Sequence, residues 1–125
     1  MKWIACIYVM AGGAIGSLCR YLMVMAMQRP YTPFPWGTLC VNLIGSFVVG
    51  LVWGVLQMYE SNHPARLFIM VGLLGGFTTF SAFSLETLLL FKAGAIRNAL
   101  LYVFSSNLGG FALAYTGYLL VSIKN

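Results

Sequence analysis

Apolar residues run along this chain in four long blocks, with polar residues gathered between them. The blocks extend from about Trp3 to Met27, Trp36 to Met58, Arg66 to Phe91 and Ile96 to Ile123. A bilayer core is crossed by about 20 apolar residues in helical form, so each block predicts one spanning helix. The connectors hold Pro30, Pro33 and Pro35, then Glu60, Asn62 and Pro64, then Lys92 and Gly94, residues that end helices and turn chains. No stretches of roughly 10 residues alternate apolar and polar, as a membrane barrel would require. The expected fold is all-α: residues 1–125 as a single four-helix transmembrane domain.

Composition agrees. Hydrophobic residues make up 61% and charged residues 7% of the 125 positions, and the mean hydropathy is +0.90. That leaves too little polar surface to coat a soluble globule. Lys2, an apolar run and Ala11-Gly12-Gly13-Ala14 imitate a signal peptide, but the apolar character continues to Met27, so a spanning helix explains more of the segment. Cys6, Cys19 and Cys40 are scattered among apolar neighbours and fit neither a disulfide framework nor a metal cluster.

The net charge of +5 does not point to nucleic acid, because Lys2, Arg29, Arg66, Lys92, Arg97 and Lys124 sit singly or in pairs at span ends, where cations anchor to headgroups. Lys2, Arg66 and Lys124 fall on one side of a four-span chain, and Arg29, Lys92 and Arg97 on the other. Orientation normally follows the Lys/Arg bias. A chain without bias predicts dual topology, with oppositely oriented copies paired about a two-fold axis in the membrane plane.

Polar groups inside the spans mark where function should be sought. Arg20 lies well inside the first span, where a charge costs at least about 2.5–3.5 kcal/mol; it either snorkels to the interface or lines an electropositive vestibule for an anion. Glu86 is the acidic residue within a span, placed to meet a cation or accept from hydroxyls. Asn42 needs hydrogen-bond partners, which a neighbouring helix or an anion could supply. Small residues recur at helical spacing as Gly12 and Gly16 in the first span and as Asn42, Ser46, Gly50 and Gly54 in the second; Tyr102, Ser106, Gly110, Ala114 and Tyr118 repeat every four residues in the fourth. Such stripes pack helices closely, within one chain or between two, and a hydroxyl-bearing stripe is either a wet path or interhelical glue. In the third span, Gly72-Leu73-Leu74-Gly75-Gly76-Phe77-Thr78-Thr79-Phe80-Ser81-Ala82-Phe83-Ser84 predicts a broken helix. Unwound backbone at membrane depth is tolerated only when buried in protein or lining a cavity. A phosphate-binding loop is disfavoured, since no Lys follows these glycines and no strand precedes them.

These motifs resemble the Fluc, or CrcB, family of small bacterial fluoride channels. The resemblance covers essentially the whole chain. It rests on Gly12-Gly13-Ala14-Ile15-Gly16 with Arg20, on Trp36-Gly37-Thr38-Leu39 with Val41-Asn42, and above all on the block from Gly75 to Ser84. It implies an antiparallel, dual-topology homodimer in the bacterial inner membrane, with two fluoride-selective pores. It also implies a structural sodium ion (Na+) held by main-chain carbonyls, by position those of Gly75 and Thr78. Carried over residue by residue, it makes Asn42, Phe80, Phe83, Tyr102 and Ser106 the pore residues, with Arg20, Thr38, Ser81 and Glu86 as vestibule or support. Ala82 stands where the pattern often has Thr, and Gly110 where a further Ser is common.

Physical chemistry fits that reading. Fluoride is small and strongly hydrated, so a selective pore must replace its water with close donors. Asn42, Tyr102 and Ser106 can donate, and the electropositive ring edges of Phe80 and Phe83 can face an anion. The membrane potential would drive passive export and relieve toxicity, since hydrogen fluoride enters neutral and dissociates inside. The alternative is a proton-coupled small multidrug-type transporter, which needs a carboxylate early in the bundle; the first span has none. An enzyme is disfavoured because His63, the sole histidine, falls in the second loop.

Overall fold

The computed structural model describes residues 2–29 and 31–122. Pro30, Ile123 and Lys124, used above for loops, span limits and charge balance, lie outside the described residues. Helix α1 spans Lys2–Met27 and α2 spans Trp36–Leu56. Helix α3 begins as a π-helical segment, Arg66–Leu74, and continues as a single α-helical turn, Gly75–Phe77. Helices α4, Phe80–Lys92, and α5, Ile96–Ser122, complete the chain. Among the described residues the regular structure is entirely helical.

By length and composition, Trp3–Met27, Trp36–Leu56 and the bent pair Arg66–Lys92 can each cross a membrane. Helix α5, with 27 residues, rises about 40 Å and is long enough. Its Ser105, Ser106, Asn107 and Thr116, with three glycines, dilute its apolar character, which is why it stands apart from the other candidates. The chain is a membrane protein by these helices and by its exposed Trp3, Ile4, Ile7, Met10 and Phe111, which no soluble monomer would leave uncovered.

The third span breaks as expected within the block from Gly72 to Ser84, at Thr78–Thr79. Gly75 and Gly76 remain helical, whereas Thr78 (φ −81°, ψ 157°) and Thr79 (φ −150°, ψ 122°) are extended. Thr79 then acts as the N-cap of α4: its hydroxyl accepts from the Ala82 N–H at 3.2 Å. At the other end of α4, Gly94 adopts φ 73°, and the Ala95 N–H reaches the Leu90 carbonyl at 3.0 Å. This left-handed cap turns the chain directly into α5.

Two glycine-mediated helix pairs make the bundle. Gly12 and Gly16 of α1 lie against Phe68, Gly72 and Leu73 of α3, and Gly76 returns the contact against Gly13. On α2, Ser46 meets Gly110 of α5, Gly50 meets Ala114, and Gly54 meets Val121 and the Tyr118 carbonyl. Partners advance in the same direction on both helices, so α2 and α5 run parallel. The small-residue stripes are therefore used within the chain, where their missing side chains let backbones touch.

That geometry separates glycines that need to be glycine from those that do not. A Cβ on Gly50 would collide with the Ala114 backbone, whereas one on Gly13 meets nothing closer than the Gly72 carbonyl oxygen at 3.9 Å. Gly50→Ala is expected to destabilise the protein by about 1–3 kcal/mol. Gly13→Ala should be neutral or slightly stabilising, since alanine favours a helix by about 1 kcal/mol. Thermal unfolding in detergent followed by circular dichroism checks the pair; equal losses in both variants would contradict this packing.

Candidate functional site

The broken third span leaves polar backbone in an apolar bundle, and the site is built from what satisfies it. Asn42, on α2, faces the break and forms two reciprocal bonds with one residue. Its Nδ2 donates to the Thr79 carbonyl at 2.9 Å, and its Oδ1 accepts from the Thr79 N–H at 2.8 Å. A side-chain amide is the neutral group that matches a peptide edge in this way, offering donor and acceptor side by side. One N–H of the Asn42 amide remains uncommitted to this pair.

Two carbonyls lose their helical partners in consequence. The Gly75 carbonyl would ordinarily receive the Thr79 N–H, which has gone to Asn42. The Thr78 carbonyl would receive the Ala82 N–H, which has gone to the Thr79 hydroxyl. Arg20 Nη1 approaches the Thr78 carbonyl at 3.4 Å, so the buried-span cation is directed at the break. Thr78 turns its hydroxyl back to the Leu74 carbonyl at 2.9 Å.

A cavity of about 350 Å³ opens beside this break. Asn42, Ser46, Gly75, Thr78, Thr79 and Phe80 are among its lining residues. Phe80 is 75% exposed, whereas Phe83 is buried at 9%. Their ring centroids lie 5.6 Å apart, and Phe83 in turn packs on Tyr102 at 5.1 Å. Phe34 closes the far side of Tyr102 edge-on at 5.7 Å.

Beneath the aromatic row lies a three-residue polar bridge. Tyr102, fully buried, donates its hydroxyl to Glu86 Oε2 at 2.6 Å, and Thr38 donates to Glu86 Oε1 at 2.7 Å. Three helices, α2, α4 and α5, are tied through one carboxyl. The Ser106 hydroxyl, one turn further along α5, is buried without a partner among the described residues. An unsatisfied hydroxyl of this kind costs about 1–3 kcal/mol, so it calls for a ligand or water. Ser81 is exposed, with its hydroxyl 3.3 Å from that of Thr79.

The sequence-derived site residues thus fall into distinguishable places. Asn42, Gly75, Thr78, Phe80 and Arg20 gather at the break; Thr38, Glu86, Tyr102 and Phe83 form the bridge and its aromatic cover. Thr79 was missed, although it supplies both the backbone edge for Asn42 and the cap of α4. Its signal was legible: a Thr followed three residues later by a helix interior is a capping pattern. Phe34, on the first connector, was also missed, and nothing in its spacing points to Tyr102.

Comparison with known proteins gives a concordant result. The family described as "CrcB-like protein, Camphor Resistance (CrcB)" matches residues 7–118. A Thermus thermophilus protein named "Fluoride-specific ion channel FluC" is 48% identical over 111 residues, 88% of this chain and 89% of its own. Proteins of the same name from Agrobacterium fabrum (45% over 111 residues, 87% of this chain and 89% of its own) and Parabacteroides distasonis (44% over 110 residues, 87% and 86%) are similarly close.

The Asn42 clasp predicts a local effect that needs no transport assay. In Asn42→Leu the Thr79 N–H and carbonyl both lose their partner, at about 1–3 kcal/mol each. Hydrogen exchange of peptides covering 74–84 should accelerate at least about tenfold, while peptides from α5 stay unchanged. Unaltered exchange at the break would mean the clasp does not hold it.

Proposed function

The chain belongs to the CrcB family, and on that premise we propose that it is a fluoride-selective channel, passing cytoplasmic fluoride passively outward across the bacterial inner membrane. The observation that carries this reading is near full-length similarity to proteins named as fluoride-specific ion channels. It is accordingly a channel and not an enzyme. Outward flow of the anion down the membrane potential lowers cytoplasmic fluoride and with it fluoride toxicity.

Four spans, α5 included, and an antiparallel dimer complete the proposal. Balanced cations favour copies inserted both ways, and a second copy would cover the exposed Phe80 and the open side of the break cavity. Donors available to a dehydrated anion include the second N–H of Asn42 and the hydroxyl of Ser106. Phe80 and Phe83 present ring edges along the same path, and Arg20 keeps the approach electropositive. Tyr102 gives its proton to Glu86, so its part is to hold the bridge with Thr38 and to seat Phe83.

A sodium ion is the proposed occupant of the break. The donor chemistry fits: the Gly75 and Thr78 carbonyls are hard oxygens released from the helical ladder. Two carbonyls are too few for a bare cation, so the site would be completed by the same pair from the second copy. Bound there, the ion would neutralise carbonyl repulsion across the two-fold axis. Among the described residues no cluster of His, Cys, Asp or Glu offers a competing metal site.

Purified protein in liposomes, read with a fluoride electrode against a chloride control, tests the function; chloride passing as readily as fluoride would sink it. Phe80→Ile and Phe83→Ile sharpen the test. Isoleucine is apolar and close in bulk, so stability should fall by no more than about 1.5 kcal/mol at either ring. Efflux should nonetheless collapse in both while gel filtration shows an intact dimer, because isoleucine has no comparable ring edge. Near-normal efflux in both would assign these rings to packing. For dual topology, C-terminal reporters in cells should report both orientations; a single orientation would end the antiparallel proposal.

A further inference from the structure

Hydroxyls inside helices ordinarily donate to the carbonyl four residues back. Ser84, Thr87, Ser105 and Thr116 all do so here, to Phe80, Phe83, Leu101 and Ala112. Ser46 departs from that habit: among the described residues its hydroxyl donates to no protein acceptor, and the residue lines the break cavity one turn beyond Asn42. The reason is visible on the opposing helix. A Cβ at position 110 would stand 3.3 Å from Ser46 Oγ, a crowded distance, so Gly110 leaves the room in which this hydroxyl sits.

A second observation points the same way. Helices α2 and α5 run parallel in constant register, which sets Ser106 at the level of Asn42 and Gly110 at the level of Ser46. The Ser106 hydroxyl is buried without a partner among the described residues. Two uncommitted hydroxyls, Ser46 lining the break cavity and Ser106 on the facing helix, therefore lie close to the level of Asn42 along one helix seam.

Resting on the fluoride-channel reading, we infer that Ser46 is a further fluoride-contacting donor, taking the ion one helical turn beyond Asn42. A small anion stripped of water needs a donor at each step, since a gap in the series is a barrier to conduction. Position 110 on α5 supplies no side chain at this level; Ser46 on α2 supplies the hydroxyl instead.

The experiment uses the full chain in liposomes with fluoride and chloride electrodes. Wild-type protein must first pass fluoride; if it does not, the channel reading itself fails, independently of Ser46. Ser46→Ala is expected to lower fluoride efflux at least about tenfold, since a hydrogen bond to a charged group is being removed. Its gel-filtration profile and helicity should be unchanged, because only one atom facing a cavity is lost. The decisive variant is Ser46→Ala combined with Gly110→Ser, which returns a hydroxyl to the same level from the opposite helix. With the residue 46 hydroxyl removed, an added Cβ at 110 lies 4.0 Å from that of residue 46, an ordinary contact, and the double variant should recover most of the lost efflux. Wild-type efflux in Ser46→Ala would overturn the inference. So would a defect that persists in the folded double variant, because the loss would then belong to α2 packing and not to the hydroxyl.

Discussion

A helix cannot be broken inside an apolar bundle unless something takes up the freed peptide groups, and here one amide does so. Asn42 pairs with both polar groups of Thr79, and that clasp decides much else. It fixes where α3 ends and α4 begins. It diverts the N–H that the Gly75 carbonyl would have received, leaving main-chain oxygen facing a cavity and not a helix interior. A peptide edge without such a partner would cost several kcal/mol in a membrane, so the break and the asparagine stand or fall together.

The second organising feature is the seam between α2 and α5. Two parallel stripes of small and hydroxylated residues meet in register, glycine-sized gaps accommodating backbone at one end and polar side chains at the other. Toward the glycine end, close contact excludes everything. Toward the other end, Thr38, Glu86 and Tyr102 lock α4 onto the seam, and Ser46 and Ser106 are left with hydroxyls that no described residue claims. Tight packing and a line of free donors are thus consecutive parts of one interface.

The aromatic row translates that polar arrangement into a surface. Tyr102 is held by Glu86, Phe83 lies on Tyr102, and Phe80 lies on Phe83 while projecting from the chain. A large exposed ring beside a polar cavity is a surface awaiting cover. In the proposed dimer that cover would be a second copy, each chain contributing one aromatic row, one pair of carbonyls and one clasped break.

Residue order and composition were enough to dictate the solvent and the element list. A 61% hydrophobic chain in long apolar blocks points to helices in a membrane, because block length and the lack of polar surface need no knowledge of packing. Polar residues at membrane depth, such as Asn42, Arg20 and Glu86, were legible for the same reason: each is anomalous where it stands. What those residues meet was settled by the packed bundle. The block from Gly72 to Ser84 announced that the third span would yield, and it does so at Thr78–Thr79; the exact place is where Asn42 and the Thr79 cap can satisfy the break, and Asn42 is no neighbour in sequence. Likewise the stripes at Ser46 and Gly110 were visible as spacing, but whether they faced each other, lipid or another chain depends on which helices run parallel and in what register. Periodicity gives each helix a face; only the assembled helices say what that face is turned toward.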